Sequence, residues 1–129
     1  MKPNRMIWQT GFDAARAASQ LANAPRRACR IGAALFSGPR LLSLGFNTYG
    51  QSHPQDARGY SMHAEHRALL RRRHYDRSAK LILYVYRETA DGQPAHCRPC
   101  SNCLRLIRIA RVAIVRFIGV DNKAQEIRF

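Results

Sequence analysis

Acidic residues are scarce in this 129-residue chain: eight, against 22 lysines and arginines, for a net charge of +14. Nineteen of the 22 are arginine. A GC-rich genome accounts for arginine in place of lysine but not for the missing acids, so the balance favours a phosphate-bearing partner. Long apolar runs are missing too. The longest, Leu81 to Tyr86, has six residues, far short of the roughly twenty that cross a bilayer, so no membrane partner is expected. A secretory leader is not visible, because Arg5, Asp13 and Arg16 interrupt any apolar stretch. The chain is therefore expected to be cytoplasmic, where disulfides are not called for. No repeat, low-complexity tract or linker divides it, and residues 1–129 read as one domain with a core. Cysteines number four; Cys97, Cys100 and Cys103 cluster while Cys29 stands apart. In a reducing compartment such a cluster speaks for metal before disulfide.

The patterning predicts the following elements. Residues 1–10 form a loose arm, with Ile7 and Trp8 docking on the core. Phe12 to Ala22 is helical and stops at Asn23-Ala24-Pro25. Arg26 to Phe36 and Arg40 to Phe46 make a hairpin across Ser37-Gly38-Pro39. Asn47 to Ser61, with Asn47, Gly50, Pro54 and Gly59, is a loop long enough to be functional. Met62 to Tyr75 is a second helix with Ser61 as N-cap, Ala64, Ala68 and Leu69 facing a sheet, and Arg67 and Arg71 to Arg73 in water. Lys80 to Arg87 is a third strand, and a turn tipped by Asp91-Gly92 leads to a third helix from Cys100 to Ala110. Arg111 to Val120 and Ala124 to Phe129 are the fourth and fifth strands. The order implies an α/β fold, with a central mixed sheet containing parallel neighbours and helices on both faces. Asp121-Asn122-Lys123 is too short for a parallel crossover, so the fifth strand returns antiparallel.

The chemistry concentrates in two short stretches, His63-Ala64-Glu65 and Pro99-Cys100-Ser101-Asn102-Cys103, with 33 residues between Glu65 and Pro99. Both fall at expected helix starts, where free N–H groups and the helix dipole favour thiolates. One imidazole and two thiolates leave a tetrahedral zinc with an open fourth position, the arrangement of a catalytic rather than a structural site. Water at such a position becomes acidic near neutral pH. Glu65, two residues from His63, is placed to move protons. An alternative stays open. Cys97, Cys100 and Cys103 also read Cys-x-x-Cys-x-x-Cys, a spacing of iron–sulfur and structural metal sites, with His96 as the fourth ligand and His63 incidental.

His-x-Glu followed by Pro-Cys-x-x-Cys is the signature of the zinc nucleobase deaminases. The chain resembles the cytidine deaminase superfamily over roughly Ile31 to Phe117, and most closely small deaminase-like proteins of phages and other viruses. Four blocks carry the resemblance: Ile31-Gly32-Ala33-Ala34-Leu35, Gly45-Phe46-Asn47, His63-Ala64-Glu65 with Ala68-Leu69, and Arg98-Pro99-Cys100-Ser101-Asn102-Cys103. His53-Pro54 is similar to the phage group. The resemblance implies a three-layer α-β-α sandwich around a five-stranded sheet and one Zn2+ per chain. It implies His63, Cys100 and Cys103 as its ligands and Glu65 as proton shuttle. It also implies Asn47 as a contact to the substrate sugar, and the Ala64 backbone N–H as a contact to the base. Homo-oligomers through helix faces are common in the family. Members that edit nucleic acids usually carry a helix between the last two strands, which makes those strands parallel. This chain has no room for one and there resembles the nucleoside-type and bacterial-toxin-type members.

Other polar and aromatic residues divide between surface, core and substrate. His66 lies on the same helix side as His63 and reads as solvent-facing or as a further ligand. Arg71, Arg72 and Arg73, with His74 and Arg77, form a phosphate-binding run or a solvated face. Arg105 and Arg108, with Arg111, make a basic stripe on the third helix, open to the same two readings. Tyr49, His53 and Tyr60 in the long loop are candidates for stacking on a base. Tyr84, Tyr86 and Cys29 belong to the core, and Cys97 is a bystander if His63 is the ligand.

The activity expected is hydrolytic deamination of cytosine to uracil at C4. The net charge and the aromatic loop favour cytosine in single-stranded DNA or RNA, which is the substrate expected by a narrow margin over the free species. The tail topology favours free cytidine, deoxycytidine or dCMP. An adenine deaminase and an inactive nucleic-acid-binding module remain as further readings, the second weakened by the intact His63, Glu65, Cys100 and Cys103.

Overall fold

The computed structural model describes residues 5–21, 30–47, 63–71, 80–89 and 91–129, with the backbone alone for 5–7. The readings placed on Cys29, Tyr49, His53, Tyr60, Ser61, Arg72, Arg73, His74 and Arg77 lie outside the described residues.

The first helix, α1, runs Arg5–Ser19 and so takes in most of the segment expected to be an arm. The apolar period extends further back than the alanine-rich stretch. Trp8, Phe12, Ala15 and Ser19 are spaced by four, three and four residues, which places them on one helical face. Phe12 meets Tyr84 edge to face at a centroid separation of 5.4 Å, and Ala15 and Ser19 are fully buried. The helix lies against strand β1, Arg30–Ser37, because Gly32 has no side chain. A Cβ there would overlap the Ala15 carbonyl and the Ser19 amide.

β2, Arg40–Phe46, pairs antiparallel with β1 as the hairpin reading expects. α2 is Ala64–Arg71 and β3 is Leu81–Glu88. A two-residue strand, β4 (Pro94–Ala95), sits in what reads as a turn and pairs with Arg87 and Glu88 at the end of β3. α3 is Ser101–Ile109, β5 is Ile114–Ile118 and β6 is Ala124–Arg128. The sheet thus has six strands where five are expected, in the order β2-β1-β3-β5-β6 with β4 attached to β3.

Among the described residues one adjacent strand pair, β3 with β5, is parallel. The passage from β2 through α2 does not place β3 beside β2. It steps over β1, which is antiparallel to both. Hydrophobic periodicity assigns a strand its inner face but not its neighbour, so this order was not readable beforehand. β4 raises the strand count by one, so the strand expected to be fifth is β6. It returns antiparallel to β5, as the short turn requires.

Gly32 and Gly45 pair with Phe46 and Ala33 respectively, so the two glycines lie on opposite faces of the sheet. α1 covers the Gly32 face and α2 the Gly45 face, with α3 packed beside α2. The result is a three-layer α-β-α sandwich. Its largest fully buried side chains, Tyr84, Phe117, Leu35, Leu83 and Ile107, fill the two interlayer spaces. Tyr86 is also buried, as expected. Among the described residues no helix is long and apolar enough to cross a membrane.

Candidate active site

The first side of the site is built by the close seating of α2 on β2. A Cβ on Gly45 would overlap the Ala64 carbonyl oxygen and the Ala68 amide nitrogen, so only glycine lets the helix lie this deep. Ala64 and Ala68 are fully buried in the contact. The Ser43 hydroxyl donates to the Ala68 carbonyl at 2.7 Å and fixes the helix along its axis. His63 stands just before the helix, its carbonyl accepting the Arg67 amide at 3.1 Å. Its imidazole is left at the rim, exposed, while Glu65 is turned inward and only 5 % exposed.

The second side is the start of α3. Cys100 occupies the N-cap position with extended backbone, φ −68° and ψ 165°, and its side chain makes no capping bond. Its carbonyl accepts the Leu104 amide at 2.9 Å, which begins the helix. One turn later Cys103 points inward and is buried. The two helix starts therefore face each other. His63 Nδ1 lies 3.2 Å from Cys103 Sγ and 3.8 Å from Cys100 Sγ. The three donor atoms all fall within 4.8 Å of one another.

This donor set fits a zinc ion. Tetrahedral Zn–S and Zn–N bonds separate neighbouring donors by roughly 3.5–3.8 Å, close to the spacing found. The electrostatics also call for a cation. Burial, then the neighbouring Glu65 and Cys100, push the Cys103 thiol far above its ordinary range. Burial likewise raises the Glu65 carboxyl, against its own backbone N–H, the charge of His63 and a hydrogen bond from the Cys103 thiol. A Cys103 thiolate beside a Glu65 carboxylate is favoured where positive charge sits between them.

The Cys-x-x-Cys-x-x-Cys alternative does not match the geometry. Among the described residues the metal-capable group is His63, Cys100 and Cys103, without Cys97 or His96. The Cys97 thiol is buried and hydrogen-bonded elsewhere, donating to the Val85 carbonyl at 3.2 Å and accepting the Ile118 amide at 3.3 Å. His96 is exposed, and the half-buried His66 lies outside the group as well.

Asn47 lies at the end of β2, the end from which the chain proceeds towards α2. It is buried, and its side-chain carboxamide oxygen accepts the Ile31 backbone N–H at 2.8 Å while its backbone N–H donates to the Ile31 carbonyl at 3.1 Å. The side chain thus extends the β1–β2 pairing by one rung. Ala64 is fully buried, with its carbonyl oxygen against Gly45. Of the basic residues singled out, Arg105 and Arg108 are exposed on α3. Arg71 is exposed on α2 with its guanidinium 5.8 Å from the Phe46 ring centre, where Arg67 also lies at 5.0 Å. Sequence reasoning missed the role of Phe46 as a platform for these two arginines. The spacing of Arg67 and Arg71, one helical turn apart, was its available signal.

The family model described as the cytidine and deoxycytidylate deaminase zinc-binding region matches residues 8–118, most of the chain. No curated protein sequence matches it. Among solved structures, cytidine deaminase from Burkholderia pseudomallei superposes with a TM-score of 0.68 at 22% identity, over 93% of this chain and 91% of that one. dCMP deaminase from the cyanophage S-TIM5 gives 0.65 at 24% identity, over 93% and 86%. Cytidine deaminase from Mycobacterium leprae gives 0.60 at 22%, over 97% and 94%. At these identities the structures establish a shared fold. The length of the family match establishes kinship: the chain belongs to the zinc-binding cytidine and deoxycytidylate deaminase family.

Proposed function

We propose that the chain deaminates the cytosine of a free nucleoside or nucleotide, cytidine, deoxycytidine or dCMP, to uracil. The observation that carries this choice of substrate is the β5–β6 hairpin. β6 returns antiparallel through the turn between Gly119 and Lys123, with no helix between the strands. That arrangement is shared by nucleoside-type and bacterial-toxin-type members, and the similar solved structures, named for cytidine and dCMP, favour the first.

His63 Nδ1 and the Sγ atoms of Cys100 and Cys103 are the ligands of the zinc in this reading. When bound, zinc supplies the Lewis acidity that makes water a nucleophile near neutral pH. Glu65 supplies the proton traffic. Its carboxylate takes a proton from the attacking water and passes it to ring N3 as C4 becomes tetrahedral. It then takes the proton of the new C4 hydroxyl and delivers it to the amino group; the C4–N bond breaks, ammonia leaves and the C4 carbonyl of uracil remains. A carboxyl whose affinity for protons is raised by burial suits a group that must both accept and return one. Asn47 and the Ala64 N–H orient sugar and base at the mouth formed by the two helix starts. Exposure of His63 and Cys100 leaves that mouth open on one side among the described residues.

A second reading, cytosine within single-stranded DNA or RNA, is favoured by the net charge of +14. Six of the described arginines have partners inside the fold, and their pairing with acids leaves the net excess unchanged. Arg116 is paired with Glu126, as is Arg128; Arg16 approaches Glu88; Arg67 and Arg71 lie over Phe46, and Arg98 over Phe117. Among the described residues the exposed Arg40, Arg105, Arg108 and Arg111, with Lys80 and Lys123, are open to a polyanion. A side-by-side assay with zinc-loaded protein separates the readings. One arm holds a cytosine-containing single-stranded oligonucleotide; the other holds cytidine, deoxycytidine and dCMP. Uracil is read by mass, with Glu65→Ala as blank. Product in the free species is expected; product in the oligonucleotide alone overturns the proposal.

A further inference from the structure

The segment that delivers Cys100 to the metal group is held at a point the chemistry so far does not use. The parallel ladder between β3 and β5 covers Ile82–Tyr84 against Ile114–Arg116 and then ends. Just beyond it, Cys97 stands between the two strands. Its backbone N–H donates to the Ile118 carbonyl at 2.9 Å. Its sulfur accepts the Ile118 N–H at 3.3 Å and donates to the Val85 carbonyl at 3.2 Å. One buried residue therefore satisfies three main-chain groups of two strands that have stopped pairing with each other.

We propose that Cys97 is a positioning residue, its thiol a bridge from β3 to β5 that fixes the Arg98-Pro99-Cys100 turn and so the place of Cys100 in the metal group. The proposal rests on the reading of His63, Cys100 and Cys103 as zinc ligands. The neighbours of Cys97 act in the same direction. On its N-terminal side, Ala95 pairs with Arg87, and Arg87 Nη1 donates to the His96 carbonyl at 3.2 Å. On its C-terminal side the Arg98 guanidinium lies 5.8 Å from the ring centre of Phe117, and Pro99 is buried. With both flanks fastened, only two residues separate the bridge from Cys100. The chemistry of the bridge requires a thiol rather than a thiolate, since the same sulfur donates one hydrogen bond and accepts another. Burial supplies that state by pushing the Cys97 thiol up to about 11, so it stays protonated where Cys100 and Cys103 must not.

Two substitutions of opposite character test the bridge. Cys97→Val keeps the bulk and removes both sulfur hydrogen bonds; Cys97→Ser keeps a donor and an acceptor. Zinc affinity is measured by competition with a chromophoric chelator, and kcat and KM on the deaminated substrate are taken separately. The valine protein is expected to bind zinc about tenfold more weakly, the scale of lost support around a metal ligand, with kcat reduced and KM little changed. The serine protein is expected to stay close to wild type. Valine with wild-type affinity overturns the proposal. So does equal loss in both variants, which assigns the effect to packing. If the valine chain does not fold, amide exchange of Ile118 in the wild-type protein decides: protection that survives zinc removal is expected, and fast exchange in the metal-free protein overturns the bridge. Cys100→Ala is the control for the underlying reading. If that variant keeps its zinc, the ligand assignment fails; if it loses zinc while valine and wild type agree, only the bridge fails.

Discussion

The imidazole Nδ1 of His63 lies 3.2 Å from the sulfur of Cys103, although the two are 40 positions apart in the chain. Neither residue is held there by the other. His63 is placed by α2 seated on Gly45, and Cys103 by the first turn of α3. The approach of two groups that both bind metal when deprotonated predicts a zinc site whose loss is local. His63→Ala and Cys103→Ala are each expected to fall from one zinc per chain towards none by elemental analysis, with far-UV circular dichroism unchanged. The pH dependence has a definite sign. Burial holds the Cys103 proton far above the ordinary thiol range, and metal binding must release it. Zinc affinity should therefore weaken as pH falls, and calorimetry in buffers of different ionisation enthalpy should show protons leaving on binding. Buffer-independent heats would contradict the thiolate assignment.

Substitution of Glu65 is expected to separate metal binding from turnover. Its carboxyl is buried beside Cys103 but is not among the three grouped metal donors. Glu65→Ala should keep a full complement of zinc and lose activity on the order of 10²–10⁴-fold, the range of a general acid–base group. Elemental analysis and a uracil assay on the same sample decide it. A variant with both zinc and full activity would remove Glu65 from the mechanism.

How much of this was legible in the sequence differs from element to element, and for physical reasons. The group of His63, Cys100 and Cys103 that could hold a metal was legible because its members come as two local clusters, one near each of two helix starts. A local pattern survives any arrangement of the rest of the chain. β2 was legible to the residue, Arg40–Phe46, because Gly38 and Pro39 mark the turn before it. The start of α1 was missed because Trp8 and Phe12 supply its apolar period across Gly11, a residue that weakens a helix by propensity. That glycine is needed where the helix meets the Tyr84 ring. The neighbours of β3 were not legible at all. The Cys97 bridge was invisible for the same reason, since it depends on Val85 and Ile118 lying on either side of one sulfur.

Gly45 offers a test of how the fold positions His63. Any Cβ at this position meets main-chain atoms of Ala64 and Ala68, which cannot swing away as a side chain can. Gly45→Ala should therefore lift the start of α2 and cost about 1–3 kcal/mol, the usual penalty of overpacking. Thermal unfolding should show the loss, and zinc affinity should fall with it because His63 travels with the helix. Unchanged stability with tight zinc would mean that α2 is seated less deeply than this contact requires.

On the opposite face of the sheet, the charge pair of Arg116 and Glu126 ties the C-terminal strand to the core. Arg116 is buried, with its guanidinium 4.4 Å from the Trp8 ring centre and Nη1 donating to the Tyr84 hydroxyl at 2.6 Å. Its Nε lies 3.2 Å from Glu126 Oε2, across the β5–β6 pairing. Partial burial pulls the Glu126 carboxyl up, but hydrogen bonds and charge from Arg128 and Arg116 together outweigh it and hold the group below the ordinary carboxylate range. A depressed folded value means that the stabilisation is present in full above the unfolded carboxylate value, about 4.3, and is lost as pH falls through the folded one. Glu126→Gln should cost about 1.5–3 kcal/mol at neutral pH, the scale of a hydrogen bond to a charged group, because it leaves the buried guanidinium short of its counter-charge. Arg128→Ala, at the exposed end of the same carboxylate, should cost less than about 1 kcal/mol. Urea unfolding of wild type and Glu126→Gln from neutral pH down to about pH 3 should show the two midpoints converging as the wild-type carboxylate takes up its proton. A gap that stays constant over that range would mean that the shape of the side chain, and not its charge, holds β6 in place.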